Sequence, residues 1–437
     1  MNVSAAKELQ LSGKEYVLAI VPVPARKAVA AALSDNSIHL VSLDLSHSTK
    51  IVDKSHERIV GMKNFDESTV MTWGNDGVKL WDLREQNSDS NKPLLWMKQG
   101  TLGPIVSCDF RDNIVVGGSE LVGTDAGICL WDVTKPKADG MPFIEFPDVH
   151  NDDVTELRFH PTRENIVVSG STDGLVNVYD IKETDQDEVV KQVFNHDSSI
   201  HFAGFTSANR VYVISHMETL SIYEMDFEKD DYVSREPLEF GDVRQKFGCE
   251  YVADIVPGYV ISGSNNADTY APGQVQLLPF RNETVTHENE AAGVVTLNEA
   301  HGTEVVRTVY LDAANDAVYT GGEDGYIRLW NVPDLQLGFG DFMTNEDTEM
   351  GGSDEGWQEV TPKKDKKDKK DMEDKKDKKD KKDKKEDKDK KEKREKREKK
   401  EKRKKEKEEA DKKDKKKKEK KDKKDKKDKK EERFAPY

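Results

Sequence analysis

The feature that most constrains the fold is an internal repeat of about 40 to 45 residues or slightly more. Its clearest copies are HNDDVTELRFHPTRENIVVSGSTDGLVNVYDI at 150–181 and HGTEVVRTVYLDAANDAVYTGGEDGYIRLWNV at 301–332. A more divergent copy, HERIVGMKNFDESTVMTWGNDGVKLWDL, covers 56–83. Each copy alternates apolar and polar residues in short runs separated by Gly, Asn and Asp, as short antiparallel strands with tight turns require. Such a repeat predicts an all-β ring of small sheets, a β-propeller.

The number of sheets, or blades, follows from the position at which each copy closes on a large apolar residue. Equivalent positions are Val41, Trp81, Trp131, Tyr179, Tyr223, Leu278 and Trp330. Successive positions are 40 to 55 residues apart, so we predict seven blades. A turn Asp precedes five of them, at Asp35, Asp76, Asp125, Asp173 and Asp324. The fifth and sixth blades lack it and are assigned from spacing and strand pattern.

The last blade needs a strand from elsewhere in the chain. Its copy stops after a third strand, because Pro333 and a Gly-rich stretch follow Val332. An uncovered sheet edge is an aggregation hazard. The short alternating run AKELQL at residues 6–11 precedes the first blade, and we predict that it completes the last one. The predicted propeller therefore spans residues 1–340.

The repeats resemble the WD40 family, in which a copy opens with Gly-His and ends with Trp-Asp. Three segments, FGDVR at 240–244, AHGTEVVRTV at 300–309 and TGGEDGYIRLWNV at 320–332, resemble the WD repeat-containing protein 89 family. The resemblance implies a seven-bladed WD40-type β-propeller closed by an N-terminal strand. It also implies a scaffold with no known catalysis.

The WD40 resemblance implies a hydrogen-bonded chain of side chains inside each blade. Carried over by position, its members are His56, Asp76 and Trp81, then His150, Asp173 and Tyr179, then His301, Asp324 and Trp330. A buried imidazole or indole N–H needs a partner, which a turn Asp can supply. Because the set recurs at the blade period, whereas a catalytic set would occur once, we interpret it as structural. We predict no enzyme activity and no cofactor or metal, since no phosphate-binding, zinc-peptidase or serine-hydrolase motif occurs.

Charge divides the chain in two. Residues 363–433 contain 43 Lys and Arg against 26 Asp and Glu, a net charge of +17. Since the whole chain carries −16, residues 1–362 carry −33, from 27 basic and 60 acidic residues. An acidic body repels phosphate and favours basic protein partners. We therefore expect the propeller to bind proteins, and the tail alone to make any nonspecific RNA contact.

Candidate partner-binding residues lie where strands leave the faces of the predicted ring. Arg307 and Glu323 belong to the last blade, and Arg244 precedes the sixth. Arg307 either pairs with Glu323 or Asp324 within the ring or binds a partner's carboxylate. Loops differ between blades while strands repeat, so specificity is expected to depend on loop residues.

A second candidate is the sequence Trp81-Asp82-Leu83-Arg84, which matches the WDxR box of WD40 proteins that resemble substrate receptors of cullin-4 ubiquitin ligases. The alternative is that Arg84 is an ordinary solvated turn residue. The sequence leaves both interpretations open.

The C-terminal quarter is predicted to be an acidic linker over 341–362 and a disordered charged tail over 363–437. Residues 391–409 set Glu four positions before Lys or Arg, which favours a solvated helix. Candidate tail motifs are the basic runs KRKK at 402–405 and Lys415, Lys416, Lys417 and Lys418, which resemble nuclear localisation signals, and a docking end with Phe434, Pro436 and Tyr437. The alternatives are a solubilising tail, or one attracted to the acidic body.

The remaining features bound the cellular setting. Cys108, Cys129 and Cys249 are far apart in apolar runs, which predicts buried free thiols in a reducing compartment. No signal peptide or long apolar run is present, so we expect an unsecreted protein without membrane contact. We also expect a monomer, and the basic tail predicts a nuclear or nucleolar location with shuttling to the cytoplasm. The leading function is a scaffold that binds a basic client such as a ribosomal or histone-like protein.

Overall fold

The alternating runs form the strands of seven antiparallel sheets in the computed structural model. The structure describes residues 1–84, 92–226, 235–265, 273–286 and 293–338. A short 3-10 helix (Pro24–Arg26) and two single-turn helices, α1 (Gln186–Val189) and α2 (Arg244–Phe247), lie in the connections. No helix within these ranges is long and apolar enough to span a bilayer.

The strands are short and follow the chain from blade to blade. Two precede the first blade, β1 (Asn2–Val3) and β2 (Lys7–Gln10). Blade 1 has β3 (Val17–Val23), β4 (Ala28–Leu33), β5 (Ile38–Ser42) and β6 (Ser48–Val52). Blade 2 has β7 (Ile59–Asn64), β8 (Thr69–Gly74), β9 (Gly77–Asp82) and β10 (Leu95–Met97). Blade 3 has β11 (Ile105–Arg111), β12 (Ile114–Ser119), β13 (Ala126–Asp132) and β14 (Ile144–His150).

The second half repeats the arrangement with some additions. Blade 4 has β15 (Glu156–Phe159), β16 (Ile166–Gly170), β17 (Leu175–Asp180) and β18 (Val190–Asn195). Blade 5 has β19 (Ile200–Ser207), β20 (Arg210–Ser215), β21 (Thr219–Glu224) and β22 (Leu238–Asp242). Blade 6 has β23 (Tyr251–Val256), β24 (Tyr259–Ser264), β25 (Gln274–Arg281), the hairpin strand β26 (Thr284–Val285) and β27 (Val295–Leu297). Blade 7 has β28 (Val306–Asp312), β29 (Ala317–Gly322) and β30 (Tyr326–Asn331).

The seven-bladed propeller predicted from the repeat is confirmed. Every predicted closing position, from Val41 to Trp330, lies on the third strand of its own blade. The first strands line a common central cavity, to which each blade contributes residues. Turns joining second and third strands, and loops leading from one blade to the next, lie on one face, which we call the upper face. The other connections form the lower face.

The predicted closure by residues 6–11 is also confirmed. Strand β2 pairs antiparallel with β30, so that Leu9 lies opposite Ile327. An additional closure was not predicted: β1 pairs in parallel with β27 of blade 6, with Asn2 opposite Thr296. The Met1 amine donates a hydrogen bond to the Val294 carbonyl at 2.5 Å. Residues 1–10 therefore hold both blade 6 and blade 7.

The hydrophobic core lies between adjacent blades. Val21 and Ile38 of blade 1, for example, pack in one cluster with Met62 and Trp81 of blade 2. Burying each large apolar side chain contributes about 1.5–3 kcal/mol relative to leaving it exposed. Each blade is therefore stabilised by its two neighbours, and the stability of the ring depends on its closure.

The three cysteines are buried and unpaired, as predicted. Cys108 and Cys129 belong to the core between blades 2 and 3, whereas Cys249 lies between blades 5 and 6. Burial raises the pKa of the Cys249 thiol to about 12, so that it stays protonated and unreactive near neutral pH. The predicted linker over 341–362, the tail over 363–437 and its motifs at 402–405, 415–418 and 434–437 lie outside the described residues and stay predictions.

Candidate protein-binding surfaces of the propeller

In blade 2, a chain of hydrogen bonds joins the upper face to the closing tryptophan. The His56 Nδ1–H donates to the carboxylate of Asp76. The Thr72 hydroxyl lies 2.8 Å from His56 Nε2 and accepts a hydrogen bond from Trp81 Nε1 at 2.8 Å. Lys79 adds an ion pair to Asp76 at 2.6 Å. The buried polar groups of these side chains thereby all have hydrogen-bond partners.

Blade 7 repeats the arrangement with the same residue types. His301 Nδ1 lies 2.7 Å from Asp324, and His301 Nε2 lies 2.9 Å from the hydroxyl of Thr320. That hydroxyl also accepts from Trp330 Nε1 at 3.1 Å. Arg328 takes the place that Lys79 has in blade 2 and contacts Asp324 at 2.6 Å.

Blade 4 has the same chain with a tyrosine at its end. His150 contacts Asp173 at 2.9 Å and Ser169 at 2.7 Å. The Tyr179 hydroxyl lies 2.9 Å from the Ser169 hydroxyl, where the tryptophan N–H lies in the other two blades. A phenol thus replaces an indole without breaking the chain.

The other blades depart from this pattern at one or more positions. In blade 3, Gly117 occupies the register position of the hydroxyl residue, so Trp131 Nε1 donates instead to the Lys98 carbonyl at 3.1 Å. In blade 6, Ser262 occupies that position opposite Gln276. The Ser262 hydroxyl is buried and has no hydrogen-bond partner among the described residues.

Electrostatics support a structural role for the recurring histidines. Burial lowers the pKa of both His56 and His301, so these imidazoles stay neutral at physiological pH. Burial opposes ionisation of Asp76, but hydrogen bonds from His56 and Lys79 outweigh it and hold the pKa of Asp76 at about 2. In blades 2 and 7 the triad is thus a neutral imidazole fixed by a carboxylate on one side and a hydroxyl on the other. The imidazoles are almost fully shielded from solvent, so a substrate has no access to them.

The candidate arginines on the upper side are paired within the ring. Arg307 Nε donates to Glu323 Oε1 at 2.7 Å, the first of the two alternatives considered for it. Arg244, in α2, forms a fork with Asp242, with an Nη2 to Oδ2 distance of 2.6 Å. Both guanidinium groups remain partly exposed. A partner's carboxylate would have to displace Glu323 or Asp242 to reach them.

The WDxR residues are divided between the core and the lower face. Trp81 is buried in its hydrogen-bonded chain, whereas the Arg84 side chain is 67% exposed. Arg84 Nη2 donates to Asp82 Oδ2 at 2.6 Å. Arg26 of blade 1 donates to the carbonyls of Leu83 and Arg84, each at 2.8 Å, and fixes this turn against the neighbouring blade.

The central cavity contains a charged cluster that the sequence reasoning missed. Lys63 Nζ lies 2.8 Å from Asp109, and Arg158 Nε lies 3.1 Å from Glu156. Asp254 faces the same cavity, and burial raises the pKa of both Asp254 and Glu156. A charged residue in an otherwise apolar first strand was the available signal. Oppositely charged neighbours in this narrow space satisfy one another, and the cluster therefore joins the blades at the axis.

Carboxylates predominate in the loops and turns of the upper face. Its described connections contain 17 acidic and six basic residues. The acidic ones are Glu15, Asp35, Asp53, Glu57, Asp76, Glu120, Asp125, Asp152, Asp153, Asp173, Asp197, Glu218, Glu250, Glu299, Glu304, Glu323 and Asp324. Burial raises the pKa of Glu218 to about 7, so this one carries only part of a charge. Across the described ranges, no group of three or more His, Cys, Asp or Glu is arranged to hold a metal ion.

The sequence is similar to known WD repeat proteins. The family model for the WD domain, G-beta repeat, matches residues 143–180 and 294–331, within blades 3 to 4 and 6 to 7. An uncharacterized WD repeat-containing protein of Saccharomyces cerevisiae is 34% identical over 311 residues, covering 70% of this chain and 76% of that protein. A counterpart in Schizosaccharomyces pombe is 32% identical over 291 residues, covering 64% and 85%.

A more distant sequence match and two solved structures are also similar to this chain. The WD repeat-containing protein 89 homolog of Dictyostelium discoideum is 26% identical over 335 residues, 73% of this chain and 84% of that protein. The WD40 propeller domain of Doa1 superposes with a TM-score of 0.51 at 16% identity, covering 75% of this chain and 96% of the domain. A chain of the mitotic checkpoint complex gives 0.56 at 15% identity, covering 76% and 92%. These two solved structures support the fold alone.

Proposed function

The chain belongs to the WD40 repeat family, whose propellers are protein-interaction scaffolds, and we propose that its upper face binds a basic protein client. The carrying observation is the composition of that face, with 17 acidic against six basic residues in its described connections. Charge complementarity of this kind steers encounter and selects against wrong partners.

Exposed apolar side chains on the same face support a protein client. Val122 and Met217 are each 58% exposed, on turns of blades 3 and 5. Leu121, next to Val122, and Tyr16, in the loop that leads into blade 1, are also exposed. Binding energy at protein interfaces comes mostly from a few such desolvated side chains, whereas charges at the rim set rate and selectivity. A client with both basic and apolar residues fits this surface.

The proposed role is non-enzymatic. The histidine, carboxylate and hydroxyl sets that superficially resemble catalytic triads are buried, recur in blades 2, 4 and 7, and end on a tryptophan or tyrosine. All their hydrogen-bonding capacity is used within the blade. They stabilise the sheets, and binding is left to the loops.

We place this function in the nucleus or nucleolus, with a ribosomal or histone-like protein as the client. Proteins of these classes carry dense positive charge that an acidic scaffold can screen. The net charge of +17 over residues 363–433 supports a role for the tail in targeting, or in nonspecific contact with RNA.

Two matched triple variants of the full chain test the upper face. The first, Glu57→Lys, Glu299→Lys and Glu304→Lys, reverses exposed charges on the upper face. The second, Glu164→Lys, Asp187→Lys and Glu188→Lys, makes the same change in net charge on the lower face. Affinity for a fluorescein-labelled Lys- and Arg-rich peptide is measured by anisotropy. Clients are identified by affinity capture and mass spectrometry.

We expect the upper-face variant to lose about tenfold or more in affinity and the lower-face variant to lose much less. Capture of basic ribosomal proteins or histones should follow the same order. Equal losses in both variants would mean that only the overall charge matters, and would contradict a specific upper-face site.

The exposure of Arg84 on the lower face supports a second candidate, a substrate receptor of a cullin-4 ubiquitin ligase. In that role Arg84 would exchange Asp82 for an acidic group of the adapter. Capture of a cullin adapter that is abolished by Arg84→Glu but not by Arg235→Glu would support it. Arg235 is a suitable control because it is also exposed and paired with a carboxylate, that of Glu224. Adapter capture that persists in Arg84→Glu would exclude the WDxR box as its basis.

A further inference from the structure

One surface of the propeller is basic and apolar, although the propeller as a whole is acidic. It lies at the outer rim between blades 2 and 3, where β10 meets the connection from β13 to β14. We call it the Trp96 patch and define it by Leu94, Trp96, Lys98, Lys135, Lys137 and Phe143. Its three apolar members are 65%, 42% and 49% exposed, in that order, although they are large side chains.

The patch is continuous across two chain segments. Trp96 and Phe143 line one shallow groove together with Lys135 and Lys137. The Lys98 amide donates to the Gly140 carbonyl at 2.8 Å, which fixes the blade 3 connection against β10. Residues from two blades therefore present a single surface.

The local charge is reversed relative to the body. Segments 92–98 and 132–143 contain four lysines and two aspartates, one of them Asp132, which lines the groove, whereas acidic residues outnumber basic ones by 60 to 27 over residues 1–362. Lys92, Lys98, Lys135 and Lys137 are all exposed. An acidic segment would be repelled by most of the propeller and attracted here.

The exposed indole is held in a fixed position. Trp96 Nε1 donates to the Asp76 carbonyl at 2.8 Å. Lys79 Nζ lies 4.6 Å and Lys98 Nζ 5.5 Å from the centre of its ring, both within range of cation–π attraction. Binding therefore costs little side-chain entropy, and fixed, partly exposed tryptophans are frequent anchors of protein interfaces.

We propose that the Trp96 patch binds an acidic segment of a partner protein that carries an aromatic or large aliphatic side chain. The apolar side chain packs against Trp96 and Phe143, while neighbouring Asp and Glu residues pair with Lys98 and, alongside its long 3.9 Å pair with Asp132, with Lys135. A basic client does not fit, because the lysines repel it. A second copy of this chain is disfavoured by the −33 charge that each body carries.

The probe is a short fluorescein-labelled peptide with a central Leu-Trp pair flanked by Asp and Glu, measured by anisotropy against the full chain at about 0.15 M salt. The test variants are Lys98→Glu with Lys135→Glu, Trp96→Ala and the conservative Trp96→Phe. Lys191→Glu and Val193→Ala are matched controls, because they change an exposed lysine and an exposed apolar residue on the outer strand of blade 4. The basic tail is the same in every variant, so its attraction for the peptide contributes a constant background.

We expect the double lysine variant and Trp96→Ala to weaken binding by about tenfold or more, and Trp96→Phe to retain most of it. The blade 4 controls should bind like the unaltered chain. Equal binding of a peptide in which Leu-Trp is replaced by Gly-Ser, or equal loss in the Lys191→Glu control, would overturn the proposal. So would self-association that Trp96→Ala abolishes, since the occupant would then be a second copy. Because charge reversal at Glu57, Glu299 and Glu304 leaves this patch untouched, its outcome is independent of the upper-face proposal.

Discussion

Replacing Thr320 with valine tests whether the buried rows of hydrogen-bonded side chains stabilise the blades. The two residues have nearly the same shape, so packing is preserved and only the hydroxyl is lost. Trp330 Nε1 and His301 Nε2 then lose a partner at 3.1 and 2.9 Å in a fully buried site. A buried polar group left unpaired costs about 1–3 kcal/mol, so two of them should lower the free energy of unfolding by about 2–6 kcal/mol. For a domain of this size, in which 1 kcal/mol shifts Tm by about 1.4 °C, that is a fall in Tm of about 3–9 °C.

Ser262→Ala is the matched control, because Ser262 has the same register position in blade 6 but its hydroxyl has no partner among the described residues. Removing an unpaired buried hydroxyl should be neutral or slightly stabilising. Both variants are compared by urea unfolding followed by circular dichroism, with calorimetry for Tm. If Thr320→Val lowers the free energy of unfolding no more than Ser262→Ala does, these side-chain hydrogen bonds do not stabilise the blades.

Three further predictions concern closure, pH and the lower face. Removing residues 1–10 exposes the edges of β27 and β30 and should lower Tm by about 5 °C or more in calorimetry, since a lost strand removes several kcal/mol; an unchanged Tm would contradict closure. Burial, together with the charges of His216 and Arg307, lowers the pKa of His201 from 6.5 to about 4. As the pH falls, His201 therefore binds a proton in the unfolded chain at a higher pH than in the folded chain. Its contribution to stability is therefore present above pH 6.5 and lost as pH falls towards 4, and His201→Gln should flatten the pH dependence of urea midpoints over that interval. Arg84→Glu removes an exposed pair with Asp82 and should change the free energy of unfolding by less than about 1 kcal/mol, with Tm as the measurement.

The blade number could be predicted because spacing survives where residue identity does not. Leu278 and Val41 replace the closing aromatic, yet each lies on a third strand, since the interval between blades is set by four strands and their turns. The pairing of β2 with β30 was predictable for a similar reason, as an uncovered third strand requires a partner. Strand β1 was not, because two residues carry no alternation pattern and parallel pairing with β27 depends only on proximity.

Side-chain partners were harder to predict than strands. Tyr179 contacts the Ser169 hydroxyl through its own hydroxyl, a substitution of phenol for indole that the Trp-centred pattern does not express. The charged residues of the central cavity come from different blades, and the packing of blade 2 against blade 3 brings Lys63 to Asp109. The Trp96 patch likewise joins segments some forty residues apart in sequence through the bond from Lys98 to Gly140.

The paired positions of β1 and β2 are separated by about three hundred residues from β27 and β30. At a ribosomal rate of about 5–20 residues per second, the first strands exist for roughly 15 to 60 s before their partners are made. During that interval blades 1 to 5 can assemble, whereas Leu9 and its neighbours remain without a template. Completion of the ring is thus a late event whose timing is set by the translation of β27 and β30.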